Sequence, residues 1–398
     1  MAKYDSAGNA IWGKDVGAMG SGETGKSIST DMYGNVYMAG GYNNVVIAKY
    51  DPLGNIIWSK NPSGSDYESA NCVSSDEGGN TYITGEYRSP ILVFGNDTLI
   101  NPNPGGYTVF IARYDSSGNV KWVTNGVGIN NYGMGITTDT KGNAYATGYF
   151  ISPTISFGSY ILNNINGAGV PGDEDLFIVK YDSSGNVKWA ESTGGRGLIE
   201  GIAISTDANG DVYLTGNFSN TVYFGNDTLI DTSRNSSLNV FIAKYNASGN
   251  VIWGKSALGA GTDYTYGICT NTKGDAMITG EFQGSGIIFG RDSLTSTGNI
   301  NVFVAKIASP IPTTDIVSIK PSSKIIIYPN PSTGNFYFSG LQSGNTIEVY
   351  NVLGEKVYAS QSNGSNFLVS LSGQSKGMYF YKISNSSVII QQGKMILE

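Results

Sequence analysis

The chain has 398 residues and a net charge of -7, and only 14% of it is charged, against about a quarter in an average soluble domain. Aromatic residues make up 12%, including 26 Tyr, which excludes a disordered chain, and the 55 Gly follow no collagen period. The absence of histidine removes a Ser-His-Asp triad, His-ligated zinc and a His general base together, and 24 Lys and Arg against 31 Asp and Glu leave no basic stripe for nucleic acid.

Residues 1–10 lack the charged-then-apolar pattern of a signal peptide, and no run of about 18 apolar residues predicts a transmembrane helix. Cys72 and Cys269 lie in no CxxC or Cys/His cluster, so neither a disulfide framework nor a thiolate metal site is expected. No cofactor and no metal is predicted.

A repeat begins almost at once. Ile-Ala-Lys-Tyr-Asp-x-x-Gly-Asn-x-x-Trp stands at residues 47–58, with relatives at 2–12, 111–122, 178–189 and 242–253 and a shortened copy at 303–307. A second phrase of the form Ile-x-Thr-Asp-x-x-Gly-Asn-x-Tyr-x-Thr-Gly recurs at 28–40, 73–85, 136–148, 204–216 and 268–280. In four of the five units a third element, Phe-Gly-x-x-x-Leu, follows at 94–99, 157–162, 224–229 and 289–294. Each unit holds four short runs rich in β-branched and aromatic residues, and none has a helical period. Asp-x-x-Gly-Asn joins the first run to the second and the third to the fourth, Asp capping the turn and Gly supplying positive φ. Four antiparallel strands repeated five times predict an all-β fold, a β-propeller of four-stranded blades.

These phrases resemble the SBBP repeat, named for seven-bladed β-propellers of secreted bacterial proteins, over residues 1–307. The resemblance implies the fold and no single activity. The last unit has no Gly-Asn-x-x-Trp strand, whereas residues 9–14 supply one at the other end, so a five-blade ring closed by residues 9–14 beside 302–307 is one expectation. The extra third-strand phrase at residues 2–5 points the other way, to a parent chain of six or seven blades with its own export signal.

After residue 307 the register stops, and residues 308–324, with Pro310, Pro312 and Pro321, read as an extended linker. From residue 325, alternating strands between Pro, Gly and Asn turns predict a small Ig-like β-sandwich over 325–398. Its ordered motifs are Tyr328-Pro329-Asn330-Pro331 with Gly334, Val-Tyr-Asn-Val-Leu-Gly ending at Gly354, Gly-Met-Tyr-Phe-Tyr-Lys from Gly377, and Lys394-Met-Ile-Leu. They resemble the C-terminal type A sorting domain of the type IX secretion system of Bacteroidetes. That resemblance implies export, recognition of the tail by the secretion machinery, and release or attachment at the outer-membrane surface.

Candidate sites are few. Trp12, Trp58, Trp122, Trp189 and Trp253 invite a sugar-stacking reading, but a residue kept in every blade is expected to pack one blade on the next. Asp207, Asn209 and Asp211 begin like a calcium loop, yet residues 212–214 offer no further carboxylate, so a hairpin turn is expected. Asp97-Thr98-Leu99, Asp227-Thr228-Leu229, Asp292-Ser293-Leu294 and Asp5-Ser6-Ala7 resemble a Bacteroidetes O-glycosylation acceptor, with a repeated turn as the alternative.

Function in repeat proteins sits where insertions collect. The connections from fourth strand to next first strand, and from second to third, vary in every blade and carry Asp66, Tyr67, Asn131, Tyr132, Arg196, Glu200, Asp263 and Tyr264, a set suited to a glycan or protein ligand. The expected function is an exported, surface-displayed or released, non-catalytic binding or adhesion module. The alternatives are a carboxylate-dependent carbohydrate-active enzyme, an accessory domain of one, or a structural surface component.

Overall fold

The computed structural model describes residues 1–14, 24–41, 43–165, 172–231, 237–259, 261–296, 298–308, 325–385 and 388–398. The described residues contain strands and no helix, in two compact units, Met1–Ser309 and Pro310–Glu398. The predicted linker falls almost entirely on residues outside the described ones.

In the first unit, four-stranded antiparallel meanders follow one another. The first blade is Gly25–Thr30, Val36–Gly40, Val46–Tyr50 and Ile56–Lys60. The second is Glu68–Ser75, Thr81–Tyr87, Thr108–Tyr114 and Val120–Asn125, the third Asn131–Thr138, Ala144–Phe150, Asp175–Tyr181 and Val187–Thr193. The fourth is Ile199–Thr206, Val212–Phe218, Asn239–Tyr245 and Val251–Gly259, and the fifth has three strands, Tyr264–Thr270, Ala276–Gln283 and Ile300–Ile307. First strands stack on first strands from blade to blade, as in a propeller.

Second and third strands are the most buried because blades cover both of their faces, so their apolar side chains do not alternate strictly with solvent-facing ones. The core is a series of separate inter-blade clusters. One joins Tyr37, Ile47 and Trp58 of the first blade to Ile83, Phe110 and Tyr114 of the second, and equivalents join each later pair.

The repeated Trp is the joint. Trp58 Nε1 donates to the carbonyl of Ser116 in the next blade's turn at 3.2 Å, and its ring lies where a Cβ on Gly118 would have to go. Trp12, Trp122 and Trp189 do the same to Pro52, Ser183 and Ala247. Lys3, Lys49, Arg113 and Lys180 of the adjacent third strands donate to the same four carbonyls. The Asp-x-x-Gly-Asn turns fold as expected, including the stretch 207–211. In one, Asp51 Oδ1 accepts the N–H groups of Leu53 and Asn55 at 2.9 and 2.8 Å.

Two expectations are corrected. The strand Ala10–Gly13 pairs with Ala2–Tyr4 and not with Ile300–Ile307, because Trp12 is committed to the first blade's Pro52 and Gly54. Among the described residues no strand of the first blade packs extensively on a strand of the fifth, and residues 9–14 do not close a ring beside 302–307. In addition, Phe-Gly-x-x-x-Leu is the centre of a hairpin inserted between second and third strands, such as Ile91–Phe94 with Asp97–Ile100. Each hairpin pairs with the segment that leaves the preceding blade, at Ser63 with Val93, Val127 with Ser156, Gly195 with Val222 and Leu258 with Ile288.

The second unit is a sandwich of two sheets, Ile326–Tyr328, Asn335–Ser339 and Asn366–Ser370 against Lys356–Gln361, Thr346–Tyr350, Gly377–Asn385 and Val388–Leu397. Phe336, Phe338, Ile347, Val349, Val369, Ile383 and Met395 fill the space between them.

Candidate binding site on the loop face

The Asp-x-x-Gly-Asn turns all lie at one end of the blades, so the variable connections gather at the other. There every first strand carries a β-bulge opposite the Gly that ends the Thr-Gly motif. A Cβ on Gly85, Gly148 or Gly216 would run into the carbonyl oxygen of the facing strand, so only glycine lets the strands close here. The bulge re-aims the side chains beside it, and the residue after the Gly varies among blades: Gly41, Glu86, Tyr149, Asn217 and Glu281.

Across the second and third blades these positions build a row of four Tyr rings. Tyr67 meets Tyr107 edge-on at 5.6 Å, Tyr107 lies 5.2 Å from Tyr132, and Tyr132 stacks on Tyr149 at 4.8 Å. Arg88 sits over the Tyr107 ring at 6.0 Å and donates through Nε to Asp66 at 2.9 Å. At the other end stand Glu86, Glu174 and Glu200. Burial pushes the Glu86 carboxyl up to about 7 against the pull of Lys26 and the bond from Asn71. Burial likewise raises Glu200, with Glu174 adding to it, and raises the Tyr132 hydroxyl to about 12.

Of the residues singled out from sequence, Asp66, Tyr67, Tyr132 and Glu200 come together around this row. Asn131 and Asp263 are fully buried, which corrects their placement on a binding surface. The Asn131 Oδ1 accepts the Val109 N–H at 2.6 Å and Asp263 Oδ1 accepts that of Gln283 at 3.3 Å, so both hold strand-end backbone in place. Arg196 is exposed in the two-residue strand Gly195–Arg196 that pairs with an inserted hairpin, away from the row. Tyr264 lies in the fifth blade opposite Glu281. The sequence reading missed Glu86, Tyr107, Tyr149 and Glu174. For Glu86 and Tyr149 the signal was a varying position directly after a constant Gly.

In the tail, Tyr328 stacks on Tyr337 at 5.9 Å. Asn330 uses its amide as backbone would: Nδ2 donates to the Lys394 carbonyl and Oδ1 accepts the Ile396 N–H, both at 2.9 Å. Pro329 and Pro331 flank it, exposed, and Gly334 donates to Ser332 Oγ at 3.2 Å. Gly354 closes a turn at φ 83°, Gly377 opens the strand facing Leu397, and the Lys394 side chain is exposed.

Fold and site together define a propeller-type blade array followed by a separate sandwich tail. Residues 326–398 match the family of secretion system C-terminal sorting domains, so the protein carries a secretion address that places it at the cell exterior or outer-membrane surface. Over 191 residues the chain is 28% identical to the uncharacterized WD repeat-containing protein L264 of Acanthamoeba polyphaga mimivirus, covering 44% of this chain and 13% of that one. The chain thus spans about an eighth of that relative's length. Among solved structures, similarity extends to PorZ of Porphyromonas gingivalis, a surface component of the type IX secretion system, at 10% identity and a TM-score of 0.32 over 99% of this chain and 62% of that one. The Dos1 propeller gives 9% identity and a TM-score of 0.36, over 99% and 80%.

Proposed function

We propose that the protein is a non-catalytic binding or adhesion module, exported through the type IX machinery by its tail and then displayed or released. Its repeats are of SBBP type, and its loop face engages a glycan or protein ligand. The observation that carries this reading is the row Tyr67, Tyr107, Tyr132 and Tyr149, four half-buried rings in mutual contact with a charged group at each end. Stacked rings of this kind take apolar faces of sugars or side chains at little entropic cost. The test is a glycan and peptide array probed with the whole chain. Binding should fall at least tenfold in the paired substitution Tyr132→Ala with Tyr149→Ala, and unchanged binding rejects the loop face as the site.

One observation favours an enzyme instead, since carboxyls raised by burial, as Glu86 and Glu200 are, are what acid–base chemistry uses. That reading predicts turnover of some chromogenic glycoside, abolished by Glu200→Gln.

A further inference from the structure

The carboxylates at one end of the Tyr row are unequally matched. Glu86 is served: Asn71 Nδ2 donates to its Oε2, and Lys26, whose Nζ donates to Asn71 Oδ1 at 2.7 Å, lies within electrostatic range. Glu174 is not. It is 7% exposed, its Oε1 accepts one N–H from Gly172 at 3.2 Å, and its Oε2 has no partner. Glu200, on the neighbouring blade, has a single long bond from Asn217 Nδ2 at 3.5 Å. Among the described residues no Lys or Arg forms an ion pair with either.

Glu200 holds the place on its first strand that Tyr132 holds on the neighbouring one, the two strands stack, and Gly201 beside Glu200 lies against Thr147 and Gly148, just before Tyr149. The Tyr132 hydroxyl, raised first by burial, lies in the fields of Glu86 and Glu174, and the Tyr149 hydroxyl in those of Glu200, Glu86 and Glu174. A buried carboxylate oxygen without a donor is costly, and aromatic faces attract cations. An ammonium has three N–H donors and a guanidinium five, enough to serve Glu174 and Glu200 at once while the alkyl stem lies along the rings.

We propose that Glu174, Glu200, Tyr132 and Tyr149 form a subsite for a Lys or Arg side chain of an extended peptide or protein partner. This rests on the loop-face binding reading and supplies its ligand class. A peptide fits better than a lone cation because the row runs on to Tyr107 and Tyr67 and ends in the Arg88 and Asp66 pair, which offers charges of both signs to a chain lying along it.

The test titrates the whole chain with N-acetyl-lysine methylamide, its arginine and norleucine counterparts, and glucosamine, followed by Tyr ring shifts in NMR. Lysine and arginine amides should saturate where norleucine does not, binding should weaken with added salt, and Glu174→Gln with Glu200→Gln should raise Kd at least tenfold. Both substitutions keep shape and remove charge, so an unchanged melting curve shows that the variant is folded. Asp97→Asn, on an exposed hairpin, should leave Kd alone. Equal binding of norleucine, or an unchanged Kd in the double variant, overturns the proposal. Glucosamine binding more tightly than the lysine amide overturns the peptide assignment in favour of an amino sugar. If neutral glycans bind in a Tyr132-dependent way while no cation does, this inference falls and the binding module stands.

Discussion

At the residue scale, polar groups divide by what they bond. The turn aspartates hold backbone N–H groups by their ionised form, and Asp51 is kept below the ordinary carboxylate range first by the Asn55 N–H. Asp263 is the reverse case: burial lifts its carboxyl to about 7, with Asp231 adding to it and the Gln283 N–H opposing. Its folded pKa stands above its unfolded value, so its contribution to stability is complete below about pH 4 and is lost as pH rises to about 7. Asp263→Asn keeps the acceptor for Gln283 and cannot ionise. The melting temperature of the variant minus that of wild type should therefore grow from pH 5 to pH 8 in a thermal melt series, and a difference that shrinks with pH would reject the assignment. Asn131 and Asp263 were legible in sequence as special and illegible as buried, because a polar side chain that serves strand-end backbone looks the same in a sequence as one that serves a ligand. The Trp residues were fully legible, since five-fold repetition itself says that the neighbour is another repeat.

At the scale of elements, strands and turns followed from the phrases, whereas the latch from hairpin to preceding blade did not. Its pairs, Ser63 with Val93, Val127 with Ser156 and Leu258 with Ile288, are made by backbone, and no residue type marks them. The same holds for the tail, where the prolines around Asn330 announced a turn and only the structure placed the amide on the last strand. Ser332 adds to that seam, donating to the Ile396 carbonyl and accepting from the Glu398 N–H, each at 2.9 Å. Asn330→Ala should lower tail stability by about 1 kcal/mol and speed amide exchange at Ile396, with both measured on the full chain. Protection at Ile396 equal to wild type would show that the seam holds without Asn330.

For the whole molecule, the core is a line of separate interfaces, so stability is expected to vary along it. Thr108–Tyr114 is paired on both edges and nearly all buried, whereas among the described residues Ile300–Ile307 pairs only with Ala276–Gln283 and leaves Val302 and Val304 more than 70% exposed. Native-state hydrogen exchange should find the least protected third strand at Ile300–Ile307, and equal protection there would indicate that something covers that edge in solution. The joint between blades also has a direction. At four joints Trp and a Lys or Arg donate to one carbonyl of the following turn. The last joint differs: among the described residues the fifth blade has no third-to-fourth turn, and Lys244 of the fourth pairs instead with Asp207 and Asp211 of its own blade. Where the joint does recur with the same donors and the same carbonyl, a duplicated blade spliced into the line meets a ready-made neighbour on each side. Such a molecule can change its length by copying itself without having to invent a new interface.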